Sequence, residues 1–196
     1  GNLKIGIAGL GRMVREVATD VLSRATDQPQ GKRHVHTLLY RVPRAQVLAV
    51  CSSEPHEVEW AENNHEYKEF GIAVYRNYEE MLAHPGLQAV WISTSTDVHA
   101  SQALAAIKAG IHVLCEKPLG SDLNEVCSGG LNQNRPVLTC DNYIGQSVVD
   151  AAEKHTELKV MAGFSRRFDA SYRDASNKIF GDHAIGKPFM VRSNTC

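Results

Sequence analysis

The sequence lacks three features that would indicate particular classes of protein. Its five cysteines form no C-x-x-C pair, and their scatter fits a reducing compartment better than a disulfide framework. Its 21 basic side chains nearly balance its 22 acidic ones, so nothing suggests a nucleic-acid or membrane-surface partner. No apolar run approaches the roughly 20 residues of a membrane helix, and the first residues do not resemble a secretory signal. We therefore expect a cytoplasmic protein.

Short β-branched segments alternate along the chain with segments of helical periodicity. Near-continuous apolar strands of this kind are typical of a parallel sheet covered on both faces. The pattern predicts an α/β fold with a Rossmann-type doubly wound sheet, in which ligands bind at the carboxyl ends of the strands. Asp97 is expected to cap the clearest helix. The predicted strands are 3–8, 47–51, 89–94, 112–116 and 158–164, and the predicted helices are 56–63, 78–83, 97–109 and 147–155.

The first predicted strand leads into "GLGRMV", which has only two of the three glycines of a G-x-G-x-x-G turn. Gly9 and Gly11 are present, and Val14 stands at the third position. In this turn, the residue that meets the ribose follows the last glycine by about 20 positions. Ser52 lies 38 positions after Val14 but 21 after Gly31 (52 − 31). If residues 14–30 are removed, the turn reads G-L-G-R-M-G, with Gly31 as its third glycine.

A second segment, residues 126–146, divides what otherwise reads as one capped helix, "SDLNE" followed by "SVVDAAEKH". Both segments begin with Val and end with Gln, and their codons can form intron donor, branch-point and acceptor strings. Our hypothesis is that two short introns were translated in frame. The alternative is a genuine insertion, because residues 13–22 suit an amphipathic helix and Val14 can replace a glycine whose role is packing.

Five motifs occur in the order typical of one enzyme family: "KIGIAGLGRM", "STSTDVHA", "CEKPLG", "AGFSRRFD" and "IGKPFMVRS". The chain resembles the Gfo/Idh/MocA oxidoreductases, and fungal inositol 2-dehydrogenase-like members most of all. The resemblance implies a dinucleotide-binding domain over residues 1–163. Residues 164–196 would then begin a C-terminal substrate and dimerisation domain that is truncated here. On this interpretation, the chain as written is expected to have little or no dehydrogenase activity.

The resemblance implies where a nicotinamide dinucleotide would bind. Backbone amides from Gly11 to Met13, including Arg12, would hold the diphosphate at a helix N-terminus. Ser52 and Ser53 end the second strand where no Asp is present. With Arg12, Lys32 or Arg33 nearby they could accept a 2′-phosphate, which favours NADP over NAD. The other expected cofactor-binding residues are Gly9, Gly31, Thr94, Ser95, Glu116, Lys117 and Arg166.

Lys117, in the E-K-P tripeptide, is the expected catalytic residue. A lysine beside the nicotinamide can hydrogen-bond a substrate hydroxyl and stabilise developing negative charge on its oxygen, with Glu116 orienting it. The "HVH" at 34–36 is interpreted as helix surface, because no matching Cys or carboxylate cluster supports a metal site. No metal is expected.

The implied activity is NAD(P)-dependent hydride transfer at a hydroxyl-bearing carbon of a sugar, polyol or cyclic diol. Two alternatives remain open: a dinucleotide-binding regulator or remnant without catalysis, and a tailoring oxidoreductase of secondary metabolism. Retention of Glu116-Lys117-Pro118 argues against the regulator. A small sugar-like or polyol-like molecule is the expected partner. A homo-oligomer is implied for a full-length relative but not for this chain.

Overall fold

A single parallel sheet of six strands forms the centre of the fold. The computed structural model describes residues 1–11, 30–120, 140–188 and 190, with side chains for all of these except 140–144 and 146. The strand order is β3-β2-β1-β4-β5-β6 and every described pairing is parallel. The predicted doubly wound Rossmann sheet is therefore confirmed. The strands are β1 Leu3–Ala8, β2 Ala45–Cys51, β3 Ala73–Tyr75, β4 Ala89–Ile92, β5 His112–Cys115 and β6 Val160–Ala162.

Helices cover both faces of this sheet. Val35 and Leu38 pack with Ile5 and Ile7 in one apolar cluster, and α5 and α6 contribute to a second. The apolar side chains form two clusters because successive side chains along a strand point to opposite faces of the sheet. The helices are α1 Gln30–Arg41, α2 Pro55–Asn63, α3 His65–Glu69, α4 Tyr78–Leu82, α5 Thr96–Lys108, α6 Cys140–Lys154 and α7 Ala170–Ser176.

The register of the three central strands brings their carboxyl ends level. Ala8, the last residue of β1, is paired with Cys51 on one side and Ile92 on the other. The connection after β1 leads to β2 on one side, and the connection after β4 leads to β5 on the other. The chain therefore leaves the sheet in opposite directions at this point. A crevice forms at such a switch point.

Some elements differ from those predicted. The sequence pattern missed β3 and α3, which have three and five residues and are too short to show a period. Ser95, and not Asp97, is the N-cap residue of α5, so that prediction was wrong. Helix α6 begins at Cys140, seven positions before the predicted start at 147 and inside the second suspected segment.

The chain divides into two compact units, Gly1–Ala162 and Gly163–Cys196. In the second unit, a 3₁₀ turn at Ser165–Phe168 precedes α7, and a π-helical turn at Asn177–Gly181 follows it. Residues 189 and 191–196, at the end of the expected C-terminal domain, lie outside the described residues. In the described part of the chain, no helix is both long and apolar enough to cross a membrane.

Candidate functional site

A cleft of about 380 Å³ opens at the carboxyl edge of the sheet, where β2, β1 and β4 end. Six of the predicted site residues line it: Gly9, Gly11, Ser52, Ser53, Thr94 and Ser95. Nine further residues line it, and the charged or amide side chains among them are Glu54, Glu57, Arg76 and Gln102. The switch-point geometry has therefore gathered the residues that follow three different strands into one concave surface.

The turn after β1 requires glycine at position 9 for two reasons. Its φ is +87°, a left-handed conformation that side chains disfavour. A Cβ atom there would also lie 2.6 Å from the Ser93 carbonyl oxygen. The Ser93 hydroxyl donates to the carbonyls of Ala8 and Gly9, both at 3.0 Å, and so ties the end of β4 to this turn.

Gly31 packs against this turn from the start of α1. A Cβ atom at position 31 would lie 1.9 Å from the Gly9 carbonyl oxygen and 2.9 Å from the Leu10 Cα. Close packing of helix on strand is the role of the third glycine in a dinucleotide-binding turn. Gly31 makes a packing contact of that kind, and its part in dinucleotide binding stays a prediction. Arg12 and Met13 lie outside the described residues, as does Val14.

Ser52, directly after β2, is buried and makes two hydrogen bonds. Its hydroxyl donates to Glu57 Oε2 at 2.5 Å and accepts from the Glu54 backbone N–H at 3.1 Å. Ser53 is exposed. Glu57 itself is only 9% exposed, and a Cβ atom on Gly11 would lie 2.2 Å from its Oε1. A carboxylate therefore sits between the end of β2 and the glycine turn. Its sequence signal was an acidic residue in the first turn of α2, beside a strand end.

Lys32 lies beside this carboxylate. Its Nζ is 3.5 Å from the centroid of the Trp60 ring, within cation–π range. Partial burial lowers the pKa of Lys32, and the Glu57 charge opposes that shift. Arg33, the other expected cation of α1, is exposed.

Thr94 and Ser95 follow β4 and line the far side of the cleft. The Thr94 hydroxyl donates to Gln102 Oε1 at 2.6 Å. Ser95 is the N-cap of α5 but its hydroxyl makes no capping hydrogen bond. Behind them, the fully buried His99 lies 3.0 Å from the Thr94 carbonyl through Nε2 and 2.7 Å from the Pro118 carbonyl through Nδ1. His99 thus connects the loop after β4 with the E-K-P loop after β5.

Glu116 and Lys117 follow β5. The Trp91 indole N–H donates to Glu116 Oε1 at 3.3 Å, and His34 Nε2 lies 3.3 Å from the same oxygen. The His34 contact lowers the pKa of Glu116, and burial opposes that shift. The Trp91 indole N–H and the Lys117 backbone N–H lower it further. The interpretation of "HVH" as helix surface was wrong for two of its residues, because His34 stacks on Trp91 at 3.9 Å and Val35 is buried.

Lys117 is exposed, and its ammonium makes no hydrogen bond or ion pair with any residue in the described ranges. The peptide bond between Lys117 and Pro118 is cis. The Lys117 backbone N–H contacts the Glu116 carboxylate, which also faces His34 and Trp91. The cleft itself is not lined by Gly31, Glu116 or Lys117.

Arg166 belongs to the second unit. Its guanidinium lies 3.7 Å from Asp169 Oδ2, and its Cζ is 5.2 Å from the centroid of the Tyr172 ring. Its expected part in cofactor binding stays a prediction.

The glycine turn, the switch-point cleft and the E-K-P loop agree with a comparison of the whole sequence against protein families. The profile described as "Oxidoreductase family, NAD-binding Rossmann fold" (Gfo/Idh/MocA) matches residues 3–128. The chain belongs to the Gfo/Idh/MocA oxidoreductase family.

Similar proteins include several inositol dehydrogenases. Inositol 2-dehydrogenase of Salmonella typhimurium is 28% identical over 189 residues, which are 96% of this chain and 44% of that protein. A solved structure of scyllo-inositol dehydrogenase from Lactobacillus casei, with NAD(H) and scyllo-inositol bound, matches with a TM-score of 0.68 and 28% identity. That match covers 95% of this chain and 43% of the other. The chain thus spans less than half the length of the curated relatives it matches.

Proposed function

We propose that this chain forms the dinucleotide-binding part of an NAD(P)-dependent polyol dehydrogenase. The observation that carries the proposal is the three-glycine cradle at the switch point. Positions 9 and 31 meet backbone where a Cβ atom would lie, and at position 11, which lines the cleft, a Cβ atom would meet the Glu57 carboxylate. Bare backbone at these positions suits a diphosphate, which needs close approach to amide groups at a helix N-terminus.

The residues of this chain fit a nicotinamide dinucleotide along the whole edge of the sheet. Gly9, Gly11 and Gly31, with the amides of Arg12 and Met13, would hold the diphosphate. Ser52 and Ser53 are proposed at the adenosine ribose end, where their acceptance of a 2′-phosphate would favour NADP over NAD. The nicotinamide, when bound, supplies hydride transfer. The side chains proposed at its end are those of Thr94, Ser95, Glu116 and Lys117.

Lys117 is the residue proposed to act on the substrate. It is exposed at the carboxyl edge of β5, so its ammonium can reach a bound hydroxyl or carbonyl oxygen. There it would donate a hydrogen bond and stabilise negative charge that develops on that oxygen. His99 supports this position from behind, through its contact with the Pro118 carbonyl.

A polyol is the substrate class that we propose, because similar proteins are named as inositol dehydrogenases.

Calorimetric titration of the purified chain with NADH tests the proposal. We expect saturable binding at one site per chain, weaker in Lys117→Met than in wild type, because the Lys117 side chain is proposed at the nicotinamide end of the cofactor. Lys108→Met, at the exposed end of α5, is the matched control. If neither NADH nor NADPH binds, the proposed function is wrong. Dinucleotide binding that is equally tight in wild type and Lys117→Met would favour the regulator.

A further inference from the structure

Two aromatic rings hold the Glu116 carboxylate, which follows β5 directly. Its Oε1 accepts the Trp91 indole N–H at 3.3 Å and lies 3.3 Å from His34 Nε2. The His34 ring stacks on the Trp91 ring, with an angle of 22° between the two planes. The side chains of His34 and Glu116 are only 16% and 12% exposed. Because His34 Nε2 is buried, the carboxylate takes the place of water as its partner.

The next residue, Lys117, carries the ammonium that could pair with this carboxylate. Neighbouring opposite charges attract each other, and an exposed pair of this kind forms and breaks readily. Here the ammonium makes no ion pair with any residue in the described ranges, while the carboxylate faces His34 and Trp91. The His34 contact lowers the pKa of Glu116 although burial opposes the shift, so the group is charged at neutral pH.

An ion pair between the two neighbours would weaken the chemistry proposed for Lys117. A lysine that donates to a bound oxygen acts through its N–H donors and its charge, and a carboxylate beside it would engage both. We propose that His34 is a positioning residue, which with Trp91 keeps the Glu116 carboxylate from pairing with the Lys117 ammonium and so leaves that ammonium to the ligand. His34 does not line the cleft, so it acts through Glu116. This inference rests on the proposed dinucleotide-binding function.

The test compares the affinities of NADH and ADP-ribose for the full chain by calorimetry. ADP-ribose has the diphosphate and both riboses of NADH but no nicotinamide, so the ratio of the two affinities reports on the nicotinamide end, where Lys117 is proposed. His34→Leu removes the ring donor and should lower the NADH to ADP-ribose ratio about threefold to fivefold, against about tenfold for Lys117→Met. His34→Gln keeps an N–H donor and should retain most of the wild-type ratio. His36→Leu, at an exposed position of the same helix, is the matched control and should leave the ratio unchanged.

A double variant separates positioning from a merely structural role. A substitution that only disturbs α1 weakens both ligands equally and leaves the ratio as it was. Because His34 is proposed to act through Lys117, adding His34→Leu to Lys117→Met should change the ratio no further. If the ratio does fall further, the inference is wrong and the proposed function stands.

Three other outcomes bear on the inference. A wild-type ratio in His34→Leu overturns it, as does a loss in His34→Gln equal to that in His34→Leu. If His34→Leu does not fold, Trp91→Phe, which removes the indole N–H, should lower the ratio in the same direction, and an unchanged ratio there overturns the inference. A chain that binds neither NADH nor ADP-ribose overturns the proposed function and the inference together.

Discussion

Replacing Gly31 by alanine tests whether α1 is seated against the turn after β1. The added Cβ would lie 1.9 Å from the Gly9 carbonyl oxygen and 2.8 Å from the Gly9 carbonyl carbon. Both atoms are backbone, so no side chain can rotate away to make room. The helix must instead move by more than an ångström from β1, and that movement also opens the cradle proposed for the diphosphate.

The size of the effect follows from two opposing terms. Overpacking against fixed backbone costs about 1–3 kcal/mol, and more where the backbone must shift. Alanine in a helix gains about 1 kcal/mol over glycine. Because both contacted atoms are backbone, the cost lies at the upper end of that range, and we expect a net loss of about 2 kcal/mol in the free energy of unfolding. This corresponds to roughly 4–8 °C in Tm for a chain of this size.

Gly145 provides the matched control. It lies in α6, and a Cβ atom built there meets no other atom within 4 Å. Gly145→Ala should therefore gain up to about 1 kcal/mol, so the two identical substitutions should have opposite signs. Urea unfolding followed by circular dichroism measures both. If Gly31→Ala is as stable as Gly145→Ala, the contact of α1 with Gly9 does not exist as described.

Three further predictions follow from particular contacts. Deleting residues 14–30, which makes Gly31 the third glycine, should preserve folding and NADH binding. The equally long deletion of 15–31, which leaves Val14 there, should be less stable by about 2 kcal/mol in urea unfolding; equal stability would remove the support for the intron hypothesis. Since His34 lowers the pKa of Glu116, that carboxylate stabilises the fold above its unfolded pKa of about 4.3 and ceases to do so as the pH falls through the lowered value. The stability difference between wild type and Glu116→Gln should thus be constant near neutrality and shrink below about pH 4, and a difference that grows on acidification would refute this sign. Burial raises the pKa of Cys51 and Cys115 to about 12, so a thiol reagent at neutral pH should modify neither until the chain is unfolded, as mass spectrometry of digests can show.

Much of the fold could be predicted because buried parallel strands have a strong local signature. Five of the six strands coincide with apolar, β-branched segments, and the predicted helices at 56–63, 78–83 and 97–109 each agree with an observed helix to within a residue or two. Strand β3, with three half-buried residues at the sheet edge, has no such signature. The end of a helix or strand depends on single capping contacts, which explains why Ser95 and not Asp97 begins α5.

The candidate site could be predicted only where it depends on the strands. Residues directly after β1, β2 and β4 were expected at the cleft, since the carboxyl ends of parallel strands share one edge, and the structure brings them together there. Glu57 and His34 were missed because each belongs to a helix and reaches a strand end only through tertiary packing. Whether such a side chain faces the sheet edge or solvent depends on the rotation of its helix, which apolar periodicity fixes only approximately.

These two missed residues share a feature that sequence can supply. Glu57 lies in the first turn of α2 and His34 in the second turn of α1, and each helix begins near the sheet edge where the strands end. Both side chains then meet polar groups that follow a strand, Ser52 for Glu57 and Glu116 for His34. The starts of α1 and α2 therefore each bring a polar side chain to the end of a strand. A serine after β2 is consequently insufficient evidence for NADP, because its hydroxyl can be engaged by a carboxylate five residues later in the chain.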